Sequence, residues 1–280
     1  MNNSTVDSNT PVASTNSTIG SAEKISTIEI FVFSINFLFG IPAHSYVIWL
    51  IVTGKGSGIS SEFLNLNLSF CEFGNCLNCL FTTLENWFSS RVSVSLFVLG
   101  LLITGRPLFQ CLICVERYLA VVHPVNFLKF KPLRYRLMCS TAAWIITLSS
   151  CLVCMITLMF YKIAYTWFFS LQFLLFLAIQ LFCLLAVLRA LKQPRPGKRG
   201  RERGQENHKK RRAFYLILIT TVALVISYLP FSIWGFFNNL TTQNIPEFWC
   251  FSFVCFMLVG FLQPVLYLHR FGRLACLCSS

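Results

Sequence analysis

Apolar residues run through this chain in long blocks rather than in alternation. Seven blocks, about 28–52, 62–88, 92–122, 137–160, 165–191, 211–237 and 247–268, are separated by shorter polar stretches. About 20 consecutive apolar residues cross a bilayer as a helix. The pattern predicts an all-α fold, a seven-transmembrane helix bundle spanning 28–268 as one domain. Continuous runs of this kind do not suit a membrane β-barrel, whose strands are short and alternate apolar with polar residues.

The flanks differ in character. Residues 1–27 are rich in Ser, Thr and Asn and predict a disordered extracellular tail. Asn2, Asn3 and Asn16 in it are glycosylation sequons. No basic stretch followed by a short apolar core precedes a cleavage site, so the first helix is expected to act as an uncleaved anchor. Residues 192–208 are basic, rich in Pro and Gly and without apolar residues, and predict a mobile cytoplasmic loop. Residues 269–280 predict a short amphipathic helix on the membrane surface, where Cys276 and Cys278 are candidate palmitoylation sites.

Charge gives the orientation. The chain has 280 residues, 55% hydrophobic and only 12% charged, with a net charge of +13. Soluble domains carry about 25% charged residues. With the N-terminus outside, 19 of the 23 Lys and Arg fall on the cytoplasmic side. The positive-inside rule therefore predicts an extracellular N-terminus and a cytoplasmic C-terminus. Topology and membrane lipids account for the basic balance, and no nucleic acid is needed.

Candidate chemistry narrows the reading further. Cys76/Cys79, Cys111/Cys114 and Cys151/Cys154 have C-x-x-C spacing. Within membrane helices such cysteines act as small apolar residues, and no metal or cofactor is expected. No Ser/His/Asp set, phosphate loop or H-E-x-x-H pattern is present, so the chain does not read as an enzyme. Four polar residues fall deep within the apolar blocks: His44, Glu72, Arg106 and Gln263. Counted from the outer ends, each lies about 21–24 Å deep at 1.5 Å per residue. Equal depth predicts one buried cluster, with Arg106 paired to Glu72 and with His44 and Gln263 completing the hydrogen bonds. A lone buried charge would be strongly destabilising. Arg106 and Arg117 are three helical turns apart and share a face, which puts the third helix at the centre. Pro107, Pro230 and Pro264 each remove a backbone donor and can kink their helices.

Taken in order, the motifs resemble those of rhodopsin-like (class A) G-protein-coupled receptors. Glu116-Arg117-Tyr118 resembles the Asp/Glu-Arg-Tyr motif, and Trp144 matches the tryptophan of the fourth helix. Ser227-Tyr228-Leu229-Pro230 resembles Cys-Trp-x-Pro, with Tyr for Trp. Gln263-Pro264-Val265-Leu266-Tyr267 resembles Asn-Pro-x-x-Tyr, with Gln for Asn. Asn67 to Glu72 resembles Asn-Leu-x-x-x-Asp, and Gly40 to His44 resembles Gly-x-x-x-Asn. The chain departs from the family pattern as well. Val92 stands where the family has a disulfide cysteine, Arg106 where members have a small polar residue beside sodium, and Lys210 where many carry an acid that holds the arginine of the third helix.

The resemblance implies a receptor whose sixth helix swings outward to engage a heterotrimeric G protein. Glu116, Arg117, Tyr118, Lys209, Lys210 and Tyr267 are the implied coupling residues, with Arg117 restrained by Glu116. His44, Glu72, Arg106 and Gln263 form the implied intramembrane switch, and Tyr228, Pro230 and Pro264 the switch of the last two helices. The matched ligand positions are Leu99, Ile103, Phe231, Ser232, Trp249 and Phe253. Leu99 replaces the aspartate of amine receptors, which argues against a biogenic amine. The guanidinium of Arg106 in the cation's place implies sodium-independent behaviour. The alternative is a non-signalling decoy or dimerising membrane protein of the same fold. Transport fits poorly, because the seven helices show no internal repeat.

Overall fold

The computed structural model describes residues 27–54, 59–88, 92–124, 127, 133–192, 200–241 and 245–270. Asn2, Asn3, Asn16, Cys276 and Cys278 lie outside the described residues, as do 193–199 of the basic segment. Helix α1 is Thr27–Val52, with a π-helical turn at Asn36–Gly40. Helix α2 is Ile59–Phe88. Helix α3 joins Val92–Gly100, a π-helical turn Leu101–Gly105, and Arg106–Val122. Helices α4, α5 and α6 are Leu133–Phe160, Lys162–Lys192 and Gly200–Thr241. Helix α7 joins Pro246–Leu258, a 3-10 turn Val259–Phe261, and Leu262–Arg270.

These helices follow the apolar blocks closely, with one correction. Helix α6 starts at Gly200, inside the segment expected to be a mobile loop. Residues 201–212 are mostly Arg, Lys, Glu and Gln, which favour helix. Extending an existing helix also avoids the penalty of nucleating a new one. Among the described residues, six helices are long and apolar enough to cross a membrane; α2 falls outside that set. Its 30 residues give ample length, but Asn67, Glu72, Asn75 and Asn78 lower its apolarity. All four are buried in the bundle.

The helices close into a ring: α1 packs on α2, α2 on α3, α5 on α6, α6 on α7, and the end of α7 returns to α1. Helix α3 is central, with 61% of its most apolar stretch buried against 28% for α4 and for α5. Small residues permit the closest approaches, as is usual where lipid supplies no hydrophobic drive between helices. A Cβ at Gly100 of α3 would lie 2.5 Å from the Cα of Cys151 on α4. The outer faces stay apolar: Ile145, Leu152, Leu171, Leu174 and Phe182 are all more than 50% exposed. The largest fully buried side chains, by contrast, include Arg106, Tyr228 and His44. The molecule is polar at its centre and apolar outside, the arrangement required of a bundle surrounded by lipid.

Candidate functional site

The polar centre is built around the π-helical turn of α3. Pro107 has no N–H, so the carbonyls four and five residues before it, Ile103 and Leu102, lose the donor that an α or π turn would supply. The hydroxyl of Tyr228 on α6 fills that gap, 2.9 Å from the Ile103 carbonyl and 3.0 Å from that of Leu102. Cys71 of α2 donates to the Leu101 carbonyl at 3.6 Å. Thr104 donates to Gln172 Oε1 of α5 at 2.8 Å and shares a short hydrogen bond with Ser150 of α4. One turn of α3 therefore holds four other helices.

Arg106 follows that turn and is 1% exposed. Its Nε donates to Oε1 of Glu72, and its Nη2 to Oε2 at 2.7 Å, a bidentate pair. The remaining nitrogen, Nη1, donates to the Phe256 carbonyl of α7 at 2.8 Å. Bidentate geometry with every guanidinium nitrogen engaged is what makes such a buried charge pair tolerable. Gly260 of α7 makes room for it: a Cβ there would lie 2.9 Å from Nη2 and 3.2 Å from Glu72 Oε2.

The expected fourfold cluster divides. Gln263 donates to Ser69 Oγ at 2.7 Å and to the Asn65 carbonyl at 3.2 Å rather than to the ion pair. His44 is 1% exposed, and its Nδ1 has no hydrogen-bond partner among the described residues. The reason lies in the helix types. A 3-10 turn advances about 120° per residue against about 100° in an α-helix. The three residues Val259–Phe261 therefore swing Gln263 away by about 60°.

At the basic end of the bundle, Glu116 pairs with Arg136 of α4, a partner not foreseen from the sequence. The restraint expected on Arg117 from its neighbour thus has a competing claim on that carboxylate. Tyr118 lies 3.1 Å from His123 Nε2 and packs edge-on against Phe182. Lys210 donates to the Ala190 carbonyl at the end of α5, at 3.3 Å. A cation is favoured at that helix terminus. Lys209 lies on α6 beside it. Between α2, α3, α6 and α7 a cleft opens, walled by Arg117, Gln110, Thr220, Gln263 and Tyr267. Trp144 Nε1 donates to Asn67 Oδ1 at 2.8 Å, joining two of the motif residues.

At the opposite end, a cavity of about 340 Å³ lies between α3, α4, α5, α6 and α7. Leu99, Phe231 and Trp249 line it, as the matched positions predict. Ile103, Ser232 and Phe253 do not: all three are buried in the packing. The α6 wall is Phe231, Trp234, Gly235, Asn238 and Asn239, one helical stripe. Aromatic contacts lead inward, from Trp249 to Phe231 at 5.3 Å and from Phe231 to Phe256 at 5.5 Å. The Arg106 guanidinium stands 5.8 Å from the Phe256 ring. The cavity and the ion pair are thereby in continuous contact.

A family model described as 7 transmembrane receptor (rhodopsin family) matches residues 44–267. The chain belongs to that family. Among curated proteins, the mouse (Mus musculus) chemokine XC receptor 1 is 27% identical over 80% of this chain and 70% of its own length. The rat (Rattus norvegicus) hydroxycarboxylic acid receptor 2 is 28% identical over 74% of this chain and 62% of its own. The human C-C chemokine receptor type 8 is 26% identical over 75% of this chain and 63% of its own. The chain spans only 62% and 63% of the last two. It is a multi-pass membrane receptor of the class A type.

Several residues of the centre went unread in the sequence, Thr104, Ser150, Gln172, Phe256 and Gly260, as did the role of Arg136 at the basic end. One signal was available. Pro107 marks unserved carbonyls one turn earlier, and a buried hydroxyl must answer them. The remainder depends on which faces meet, which a single sequence does not display.

Proposed function

We propose that this receptor lies in the plasma membrane with its N-terminus outside and transmits a signal to a heterotrimeric G protein. The observation that carries this reading is the paired arrangement of an outer cavity and an inner cleft on either side of one polar hub. In this reading Arg117, Tyr118, Glu116 and Tyr267, with Lys209 and Lys210, meet the G protein at the basic end. Outward movement of α6 breaks the Tyr228 contact to α3 and the Lys210 contact to α5, and widens the cleft beside Arg117. Pro230 and Pro264 provide bending points, because each removes a backbone donor within its helix. The signal needs only different ligand affinities for the two positions of α6.

The described lining of the outer cavity holds no charged side chain. That lining supports a small, largely apolar ligand rather than a biogenic amine, and it offers no described cation to a carboxylate. Chemokine or hydroxycarboxylic acid recognition, as named for the relatives, would need groups beyond that lining. The number of ties to the α3 turn favours a second reading, a non-signalling or dimerising member of the fold. A G-protein dissociation assay in cells separates the two. Arg117→Ala is expected to abolish activation while surface expression persists; signalling that survives in that variant overturns the proposal. Silence of the well-expressed wild-type chain supports the second reading.

A further inference from the structure

A second groove lies between α6 and α7 at the basic end, next to the inner cleft, with a volume of about 590 Å³. Its lining includes Arg211, Arg212, Tyr215 and Ile219 from α6, with Leu266 and His269 from α7. Arg211, Tyr215 and Ile219 are four residues apart in succession and share one helix face. Arg211, Arg212, Tyr215, Ile219 and His269 are all exposed. No acidic residue is among the described lining.

The polarity of this groove runs in one direction. Arg211, Arg212 and His269 sit at the end of the bundle where α7 finishes and Arg117 lies. Ile219 lies about 12 Å further towards the bilayer centre at 1.5 Å per residue. Cationic groups at headgroup depth above an apolar wall match an amphiphile with an anionic head and acyl chains. They match a soluble anion poorly, since a soluble anion leaves the apolar wall unused. We propose that this groove binds an anionic phospholipid of the inner leaflet through a phosphorylated headgroup. The two arginines hold the phosphates, His269 and the Tyr215 hydroxyl close the headgroup site, and Ile219 and Leu266 meet the acyl chain. Arginine suits this role, because its planar fork engages two phosphate oxygens at once.

The site is tested without reference to G-protein coupling. The full-length receptor is reconstituted in phosphatidylcholine nanodiscs with a few per cent of fluorescent phosphatidylinositol bisphosphate, and bound lipid is measured. Arg211→Gln with Arg212→Gln is expected to lower binding about tenfold or more. Arg211→Lys with Arg212→Lys keeps the charge without the fork and is expected to bind between the wild type and the Gln pair, with folding of every variant checked by size-exclusion chromatography. Removing two charges elsewhere at the basic end, Arg189→Gln with Lys192→Gln at the end of α5, is expected to have little effect. An equal loss from both charge-removing pairs overturns the proposal, because general surface attraction then explains the binding. Soluble inositol trisphosphate is expected to compete weakly. Full displacement at equal concentration also overturns it, since a free phosphate site would then be present.

Discussion

The hydroxyl of Tyr228 is the most exposed point of the mechanism to direct test. Tyr228→Phe removes that oxygen and keeps the ring, which stacks on Phe169 at 5.1 Å and meets Phe256 edge-on at 5.2 Å. Tyr228 is 0% exposed, so no bulk water replaces the lost donor. Pro107 cannot supply an N–H to the Leu102 and Ile103 carbonyls. Losing the partner of a buried acceptor costs about 1–3 kcal/mol. The loss falls only on the conformation in which α6 packs against α3, because an outward α6 has already broken the contact. Each 1.4 kcal/mol is about a factor of ten in population, so the outward form should rise between about fivefold and 150-fold. Ligand-independent G-protein dissociation, normalised to surface expression, reads that change. Unchanged basal activity at equal expression refutes the latch.

A double-mutant cycle sharpens the same point. Pro107→Ala restores a backbone donor to α3, and the carbonyls then have a partner within their own helix. In that background Tyr228→Phe should raise basal activity much less than in the wild type. Residues that share a hydrogen-bond network show coupling of about 0.5–3 kcal/mol, whereas independent sites simply add. Additive effects of the two substitutions would mean that the Tyr228 hydroxyl acts independently of the carbonyls left by Pro107, and the account of the π turn would fall.

Other consequences follow from the same centre. Arg106→Ala should destabilise the receptor by about 3–5 kcal/mol by leaving Glu72 charged and unpaired; the double change Arg106→Gln with Glu72→Gln should recover most of that, read as thermal unfolding in detergent. Gly260→Ala places a Cβ 2.9 Å from Arg106 Nη2 and should cost about 1–3 kcal/mol from overpacking. Ala otherwise favours helix over Gly by about 1 kcal/mol, so a rise in unfolding temperature would contradict the packing described. Exchange of sodium for choline at constant ionic strength should leave stability unchanged, because the guanidinium already occupies both Glu72 oxygens; a sodium-dependent gain would show that the ion still enters. Trp144→Phe should lower stability by about 1 kcal/mol through loss of the 2.8 Å bond to Asn67.

What the sequence disclosed and what it withheld have a common physical origin. Helix positions were legible because twenty-residue apolar blocks leave little choice in a bilayer, where helical hydrogen bonds must satisfy most backbone groups. The Arg106–Glu72 pairing was legible because a buried charge requires an opposite charge at matching depth. Depth alone misplaced Gln263, because counting at a uniform rise and twist assumes an unbroken α-helix. Each of the three helices that carry this centre's errors or its hub departs from that geometry for a few residues: α1 at Asn36–Gly40, α3 at Leu101–Gly105 and α7 at Val259–Phe261. Near such turns carbonyls accept from side chains of other helices, whether left by Pro107 or shared with a backbone donor as at Leu101. Arg106 collects one from α7, and Tyr228 and Cys71 collect others from α3. The irregular turns and the buried polar side chains therefore depend on one another. A tyrosine in place of the family's tryptophan on α6 is then no neutral exchange, since its hydroxyl completes the backbone of a different helix.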